Sequence, residues 1–202
     1  MYARFGLTLV VNHACNLRCS YCYTGEKRRR PMPLSIGRKA IDRALQSIIR
    51  TGTLELSFFG GEPLVEAELI LELVSYARAE AAQHDSELAL SMTTNGTLDS
   101  PAAWDVMTLP EMQLAISHDG LPEVHDRNRV TSDGLPSSHK VEATIRRLVD
   151  EGRDFRTIMV VRPDNVEQFP AGLGYLYAQG VRRFDPSLDL WAIWKRNDGE
   201  RL

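Results

Sequence analysis

Short apolar runs alternate with longer amphipathic stretches along almost the whole chain, and this alternation constrains the fold most strongly. The apolar runs predict strands at residues 7–11, 54–59, 87–93, 112–117, 155–161 and 181–185. The amphipathic stretches predict helices at residues 34–50, 65–82, 101–107, 138–151 and 165–179, with Ser35 as the cap of the first. Strict β–α alternation with near-continuous apolar strands is typical of a parallel sheet covered by helices. Six units are too few for a closed eight-unit barrel, so we expect a partial (β/α)6 barrel or an open doubly wound sheet.

The composition is that of an ordinary globular protein, and it excludes several classes of function. The 202 residues are 43% hydrophobic and 25% charged with a net charge of −3, so we expect no nucleic-acid partner. No apolar run approaches the roughly 18 residues of a transmembrane helix, and the N-terminus lacks the features of a secretory signal. We therefore expect a cytoplasmic protein without a membrane partner, with one core domain at residues 1–185 and a short tail at residues 186–202.

Glycine-rich or polar segments follow the first four predicted strands. These segments are residues 12–23, Gly60-Gly61-Glu62-Pro63, Thr94-Asn95-Gly96 and Ser117-His118-Asp119-Gly120. The carboxyl ends of the strands in a parallel α/β sheet lie along one edge, where ligands bind. The sequence therefore predicts a ligand site at that edge.

The three cysteines, Cys15, Cys19 and Cys22, have the spacing C-x3-C-x2-C. An odd, clustered set in a chain without an export signal is not typical of a disulfide framework, so we interpret these thiols as metal ligands. Three thiolates can each hold one iron of a cubane cluster, which leaves the fourth iron open for a substrate or cofactor. A structural zinc site with His13 as fourth ligand is the main alternative, and inert core thiols are another.

The cysteine spacing, with Tyr21 before the last cysteine, resembles the signature of the radical S-adenosylmethionine (SAM) superfamily. Gly60-Gly61-Glu62-Pro63 resembles the glycine-rich SAM motif of that family. Residues 117–129 resemble the S-x-D-G…HDxxR stretch of its peptide- and protein-modifying branch, which is related to the SPASM enzymes and sulfatase maturases, although His118 replaces a small apolar residue. The resemblance covers essentially the whole chain. It does not extend to a C-terminal auxiliary-cluster domain, because all three cysteines are already used.

This resemblance implies a partial (β/α)6 barrel with two cofactors, a [4Fe-4S] cluster on the three cysteines and SAM on the open iron. Reductive cleavage of SAM would give a 5′-deoxyadenosyl radical that modifies a peptide or protein side chain. A reductase, flavodoxin or ferredoxin would supply the electron. The alternatives are a small-molecule radical SAM enzyme, a glycyl-radical activase and, from another class, a non-catalytic metal-binding interaction subunit.

Seven residues are candidates for binding SAM, and each also has a structural interpretation in a turn, a cap or the core. They are Tyr21, Gly60, Gly61, Glu62, Pro63, Asn95 and Ser117. Glu62 would meet the methionyl ammonium, and the glycines would let the backbone approach the ligand closely. Asn95 and Ser117 are suited to ribose hydroxyls, and Tyr21 to the adenine or the cluster. No catalytic acid or base can be assigned.

Three further features carry open interpretations. His118 is predicted to be a surface or packing histidine, and Arg129 to contact either the SAM carboxylate or a nearby Asp. The tail, with Trp191 and Trp194, is expected to dock onto a partner subunit or a second copy of the chain. A naturally short enzyme, half of a split enzyme and a truncated product all fit this C-terminus.

Overall fold

A computed structural model describes residues 1–199, and its six strands form one sheet in which they follow one another in chain order. The strands are β1 (Tyr2–Asn12), β2 (Ile48–Gly60), β3 (Glu87–Thr94), β4 (Met112–Ser117), β5 (Phe155–Val161) and β6 (Phe184–Leu188). The helices are α1 (Leu34–Leu45), α2 (Ala67–His84), α3 (Pro101–Met107), α4 (Pro122–Asn128), α5 (Ser138–Asp150), α6 (Phe169–Ala178) and α7 (Arg196–Gly199), with 3-10 turns at Pro63–Glu66 and Val166–Gln168. The predicted α/β class and the strand order of a partial (β/α)6 barrel are confirmed.

The first of two compact units comprises Met1–Cys15, Thr24–Thr94 and Leu98–Leu114. In this unit β2 pairs in parallel with both β1 and β3. Alternate residues of β2 are buried, and α2 contributes a buried apolar face at helical spacing. The last pairing of β1 with β2 joins Asn12 to Gly60, so the carboxyl ends of the two strands lie side by side.

The second unit comprises Asn16–Tyr23, Asn95–Thr97 and the chain from Ala115 onward. Within it β5 and β6 pair in parallel, and α5 buries Val141, Ile145 and Leu148. Most of the cysteine segment and the turn after β3 therefore pack in this unit. Within residues 1–199, no helix is long and apolar enough to cross a membrane.

Two predictions around the first helix are wrong. The helix ends at Leu45 because Ile48 to Arg50 already belong to β2, where β-branched residues are favoured. Ser35 lies inside the first turn, while Pro33 occupies the cap position with extended dihedral angles and no side-chain hydrogen bond. Proline is compatible with this position, since its ring fixes φ near the observed −60° and it has no amide hydrogen that would need a partner.

The last strand also differs from its prediction. It spans Phe184–Leu188 rather than residues 181–185. Val181 is fully buried, but its amide donates to the carbonyl of Leu176 at 3.1 Å and so completes the end of α6. The predicted tail at residues 186–202 thus begins inside β6, and its residues 200–202 lie outside the described part of the chain.

Candidate active site

The three cysteines are half-buried thiols, and none of them is in a disulfide. Cys15 belongs to the first unit, while Cys19 and Cys22 belong to the second and are linked by a turn in which the Cys22 amide donates to the Cys19 carbonyl at 3.1 Å. Over residues 1–199, no three His, Cys, Asp or Glu side chains are grouped to hold one metal ion. A cubane cluster makes a different demand, because each thiolate binds its own iron. The donor set, three unoxidised thiols on one segment, fits such a cluster.

Gly60 and Gly61 are required by the chain's own backbone. A Cβ atom on Gly60 would overlap the carbonyl oxygen of Asn12, and one on Gly61 would overlap the carbonyls of His13 and Ala14. The amide of Gly61 donates to Asn12 at 3.0 Å, which ties the turn to the end of β1. These glycines approach the residues immediately before Cys15, and the predicted close approach to a ligand stays a prediction.

Glu62 is a buried carboxylate, with only 1% of the residue exposed. Its Oε1 accepts hydrogen bonds from the Leu64 amide at 3.0 Å and from the Thr94 hydroxyl at 2.7 Å. Pro63 is buried and begins the 3-10 turn that Glu62 caps. The carboxylate is thus held rigidly between the end of β2 and the end of β3.

Asn12 is a site residue that the sequence reasoning missed. It is fully buried, and its Oδ1 accepts from the amides of Ala14 at 2.9 Å and Arg30 at 3.0 Å. Its Nδ2 donates to Glu66. Asn12 therefore shapes the backbone leading into Cys15. An asparagine directly after an apolar strand is the signal for such a side-chain turn.

Asn95 belongs to a closed ring of three polar side chains. Its Nδ2 donates to Asn16 Oδ1 at 2.9 Å, Asn16 Nδ2 donates to the Thr97 hydroxyl at 2.7 Å, and that hydroxyl donates to Asn95 Oδ1 at 2.6 Å. Asn95 Oδ1 also accepts from the Thr97 amide at 3.0 Å. The turn after β3 therefore holds the residue that follows Cys15, a contact that no local pattern in the sequence predicts.

Tyr21 contacts two arginine side chains and a carboxylate. The guanidinium carbon atoms of Arg129 and Arg162 are 5.3 and 5.6 Å from its ring centroid, and its hydroxyl donates to Asp119. Burial, followed by the charge of Asp119, raises the pKa of Tyr21 well above its usual range, although the Arg129 charge opposes this rise. Tyr21 is therefore a neutral hydrogen-bond donor at physiological pH.

Arg129 makes a buried ion pair, so the local Asp is its observed partner. Its Nε and Nη2 donate to the two carboxylate oxygens of Asp119, both at 3.1 Å. The Val160 amide also donates to Asp119 at 3.1 Å. Burial lowers the pKa of Arg129, but the Asp119 carboxylate outweighs that effect and raises it. The pair is charged on both sides and fully hydrogen-bonded, as a buried ion pair must be.

His118 and His125 are in contact in the core of the second unit, with ring centroids 4.3 Å apart and ring planes tilted by 42°. His118 is fully buried and is not a surface residue; its Nδ1 accepts from the Gly120 amide at 3.2 Å, and its Nε2 lies 3.8 Å from Glu142. The Nδ1 atom of His125 accepts from the Asp119 amide at 3.4 Å, and its Nε2 lies 3.0 Å from the Ser137 hydroxyl. Burial, and then the charges of His118 and Arg129, lower the pKa of His125 far below its usual range. His125 is therefore a neutral, structural side chain.

A pocket of ≈ 480 Å³ lies beside the cysteine segment in the second unit. Tyr21, Cys22 and Tyr23 line one side, and Arg162 and Trp191 line another. Its mixture of aromatic rings and charged groups suits a flat ligand with polar edges. Ser117, the remaining predicted residue, is buried at the end of β4 and does not line this pocket.

Comparison with known proteins agrees with the fold. A family model described as the radical SAM superfamily matches residues 9–173. The chain is 30% identical to protein MJ0907 of Methanocaldococcus jannaschii, over 87% of this chain and 59% of that protein. It is 26% identical to a cysteine-type anaerobic sulfatase-maturating enzyme of Clostridium perfringens (77% of this chain, 44% of that one). It is 28% identical to a GTP 3′,8-cyclase of Geobacter sulfurreducens (82% and 55%).

A solved structure shares the fold over nearly the whole chain. It is native anSMEcpe with bound AdoMet and a Kp18Cys peptide, and it superimposes with a TM-score of 0.85 at 20% identity, covering 98% of this chain and 57% of that one. The chain thus spans about half the length of the proteins that it matches.

Proposed function

The chain belongs to the radical SAM superfamily, and we propose that Cys15, Cys19 and Cys22 bind the [4Fe-4S] cluster of that family and leave one iron open for SAM. The observation that carries this assignment is the set of three half-buried thiols, none of them in a disulfide, inside the matched residues. When bound, the cluster and SAM supply reductive C–S cleavage, which yields a 5′-deoxyadenosyl radical for hydrogen abstraction.

The turn after β2 holds the residues that we assign to the methionyl end of SAM. Glu62 is a fixed, buried carboxylate and would pair with the SAM ammonium, a charge-assisted contact that is strong where water is excluded. Gly60, Gly61 and Pro63 hold Glu62 by keeping the turn against the end of β1. Within that turn the glycines position the carboxylate.

We assign Tyr21, Asn95 and Ser117 to the nucleoside of SAM. The pocket beside Tyr21 has the size and aromatic lining for adenine. Ser117 and Asn95 follow neighbouring strands and would serve the ribose, with Asn95 also orienting Asn16. The hydrogen bond to Asp119 fixes the side chain of Tyr21, whose ring would contact the nucleoside. Tyr21 directly precedes the cluster ligand Cys22 in the chain.

The substrate that the observations favour is a peptide or protein side chain. Residues 117–129 carry the motif of the peptide-modifying branch, and the similarity to a sulfatase-maturating enzyme supports the same class. A small-molecule substrate is the second candidate, favoured by the comparable similarity to a GTP 3′,8-cyclase. Full activity on either substrate would draw on an electron-donor protein such as a flavodoxin or ferredoxin.

Release of 5′-deoxyadenosine tests this function. Protein reconstituted with iron and sulfide under anaerobic conditions is mixed with SAM and dithionite, and the nucleoside is quantified with and without candidate precursor peptides or GTP. We expect slow release that Cys19→Ala abolishes and that a peptide accelerates. Acceleration by GTP alone would favour the small-molecule candidate, and no release from iron-loaded protein would favour a non-catalytic subunit.

A further inference from the structure

The second half of the cysteine segment lies antiparallel along the residues that follow α4. The Arg18 amide donates to the Val130 carbonyl at 2.7 Å, the Ser20 amide donates to the Asn128 carbonyl at 2.9 Å, and Leu17 forms an antiparallel bridge with Thr131. These pairings share one register, and that register places Cys19 directly opposite Arg129. A second link, from the Ser20 hydroxyl to Asn128 Oδ1 at 2.6 Å, fixes the register through side chains.

Arg129 is held in place from several directions. Its amide donates to the His125 carbonyl at 2.8 Å, and its carbonyl accepts from the Ser137 hydroxyl. Its side chain is 7% exposed, and its guanidinium donates to both carboxylate oxygens of Asp119, whose side chain is 0% exposed. A buried guanidinium held in this way cannot turn toward solvent.

Asp119 also contacts the cysteine segment, because it accepts a hydrogen bond from the Tyr21 hydroxyl. Arg129 is thus linked to this segment through Asp119 as well as through the backbone pairing. Arg129 therefore lies opposite Cys19 in the register, and its guanidinium is bonded to the Asp119 carboxylate. Charges interact strongly at low effective dielectric, so both act on the electrostatic potential at Cys19. Consistently, Cys19 is among the groups that raise the pKa of Arg129 against its burial.

We propose that Arg129 is a positioning residue whose charge sets the reduction potential of the cluster that Cys19 helps to bind. The negative charge of Asp119 partly compensates the charge of Arg129. This inference rests on the proposed function, because it takes Cys19 as a cluster ligand. One-electron reduction adds negative charge at the cluster, and a fixed cation beside a ligand sulfur stabilises the reduced state. The Asp119 carboxylate limits that stabilisation.

A charge cycle on the reconstituted protein tests the inference, with the midpoint potential measured by EPR-monitored redox titration. Arg129→Gln should lower the equilibrium constant for reduction by about tenfold, which is about 59 mV for a one-electron couple. Asp119→Asn should move the potential in the opposite direction. The double variant should return close to the wild-type value because it removes both charges. Arg147→Gln, on the exposed Arg147–Glu151 pair of α5, is the control and should leave the potential unchanged.

The outcomes distinguish failure of the inference on Arg129 from failure of the proposed cluster binding. Equal potentials in all loaded variants would overturn the inference and leave the proposed function intact, because a merely structural pair shifts no potential. If Arg129→Gln holds no iron, Asp119→Asn decides alone, and the absence of a rise overturns the inference. Loss of iron from both single variants assigns the pair a structural role only. A wild-type protein that binds no cluster refutes the proposed function and this inference with it.

Discussion

Glu62 is suited both to a structural role in its turn and to binding a ligand. The carboxylate caps a 3-10 turn and accepts the Thr94 hydroxyl, and the same burial would strengthen a contact with a ligand ammonium. The motif around Glu62 predicted a ligand-binding residue. The contact with Thr94 joins the ends of two strands that are distant in the sequence, so no local pattern predicts it. Only a measurement on SAM itself separates the two roles.

Replacing Glu62 by Gln should weaken SAM binding without removing the cluster. A hydrogen bond to a charged group contributes about 1.5–3 kcal/mol, so SAM affinity should fall by about tenfold or more. SAM affinity is measured by equilibrium dialysis on iron-loaded protein, with iron content as the internal check. Thr94→Val is the matched control, because it removes the hydroxyl that donates to Glu62 and keeps the carboxylate. Equal effects of the two substitutions on SAM affinity would make Glu62 a structural residue.

His125 should make the protein less stable as the pH falls. Its pKa is lowered from 6.5, so below about pH 6.5 the unfolded chain binds a proton that the folded chain does not. His125 therefore leaves the free energy of unfolding unchanged above pH 6.5. Below pH 6.5 it lowers that free energy by up to about 1.4 kcal/mol per pH unit.

Urea unfolding at pH 7 and pH 5 measures this dependence. His125→Gln should flatten it, whereas His139→Gln, at an exposed position on α5, should leave it unchanged. The same pH dependence in wild type and His125→Gln would show that His125 is not the group responsible. Neither the burial of His125 nor its partner Ser137 could be predicted from the sequence, because the His-Asp pair of the motif does not indicate whether its side chains are buried.

At the scale of elements, the sequence predicts strands and helices well where one pattern acts alone. The helix Pro101–Met107 and the strands Met112–Ser117 and Phe155–Val161 coincide with their predictions. The failures occur where two patterns join. Ile48 and Ile49 continue the helical spacing of α1 yet enter β2, because β-branched residues are favoured in strands and Ile48 pairs with Tyr2 of β1.

The glycine turn after β2 is the element on which the cysteine segment depends most closely. Gly61→Ala should be destabilising by about 1–3 kcal/mol, because the new methyl group meets backbone carbonyls of residues 13 and 14 that cannot move independently. The same displacement should reduce iron loading through Cys15. Gly174→Ala, in α6 with open space around it, should be neutral or slightly stabilising. Thermal unfolding and iron analysis would check both, and normal iron loading of Gly61→Ala would contradict the coupling.

At the scale of the whole molecule, an apolar cluster near the C-terminus is exposed to solvent. Leu190, Trp191 and Ile193 are each more than 80% exposed, whereas Trp194 donates to the Asp189 carbonyl at 2.8 Å and is half-buried. We expect the exposed cluster to bury against a second copy of the chain. Light scattering should then show a particle larger than the 22.7 kDa chain, and Trp191→Ser should shift it toward the monomer. A monomer at all concentrations would contradict this expectation.

The central claim is that three thiolates hold a cluster with one iron open to SAM, and EPR of the reduced, reconstituted protein tests it most directly. The account predicts close to four irons and four sulfides per chain, and a spectrum that changes when SAM is added. Cys19→Ala should show neither. Stoichiometric zinc with no bound iron, or a cluster whose spectrum is indifferent to SAM, would contradict the account.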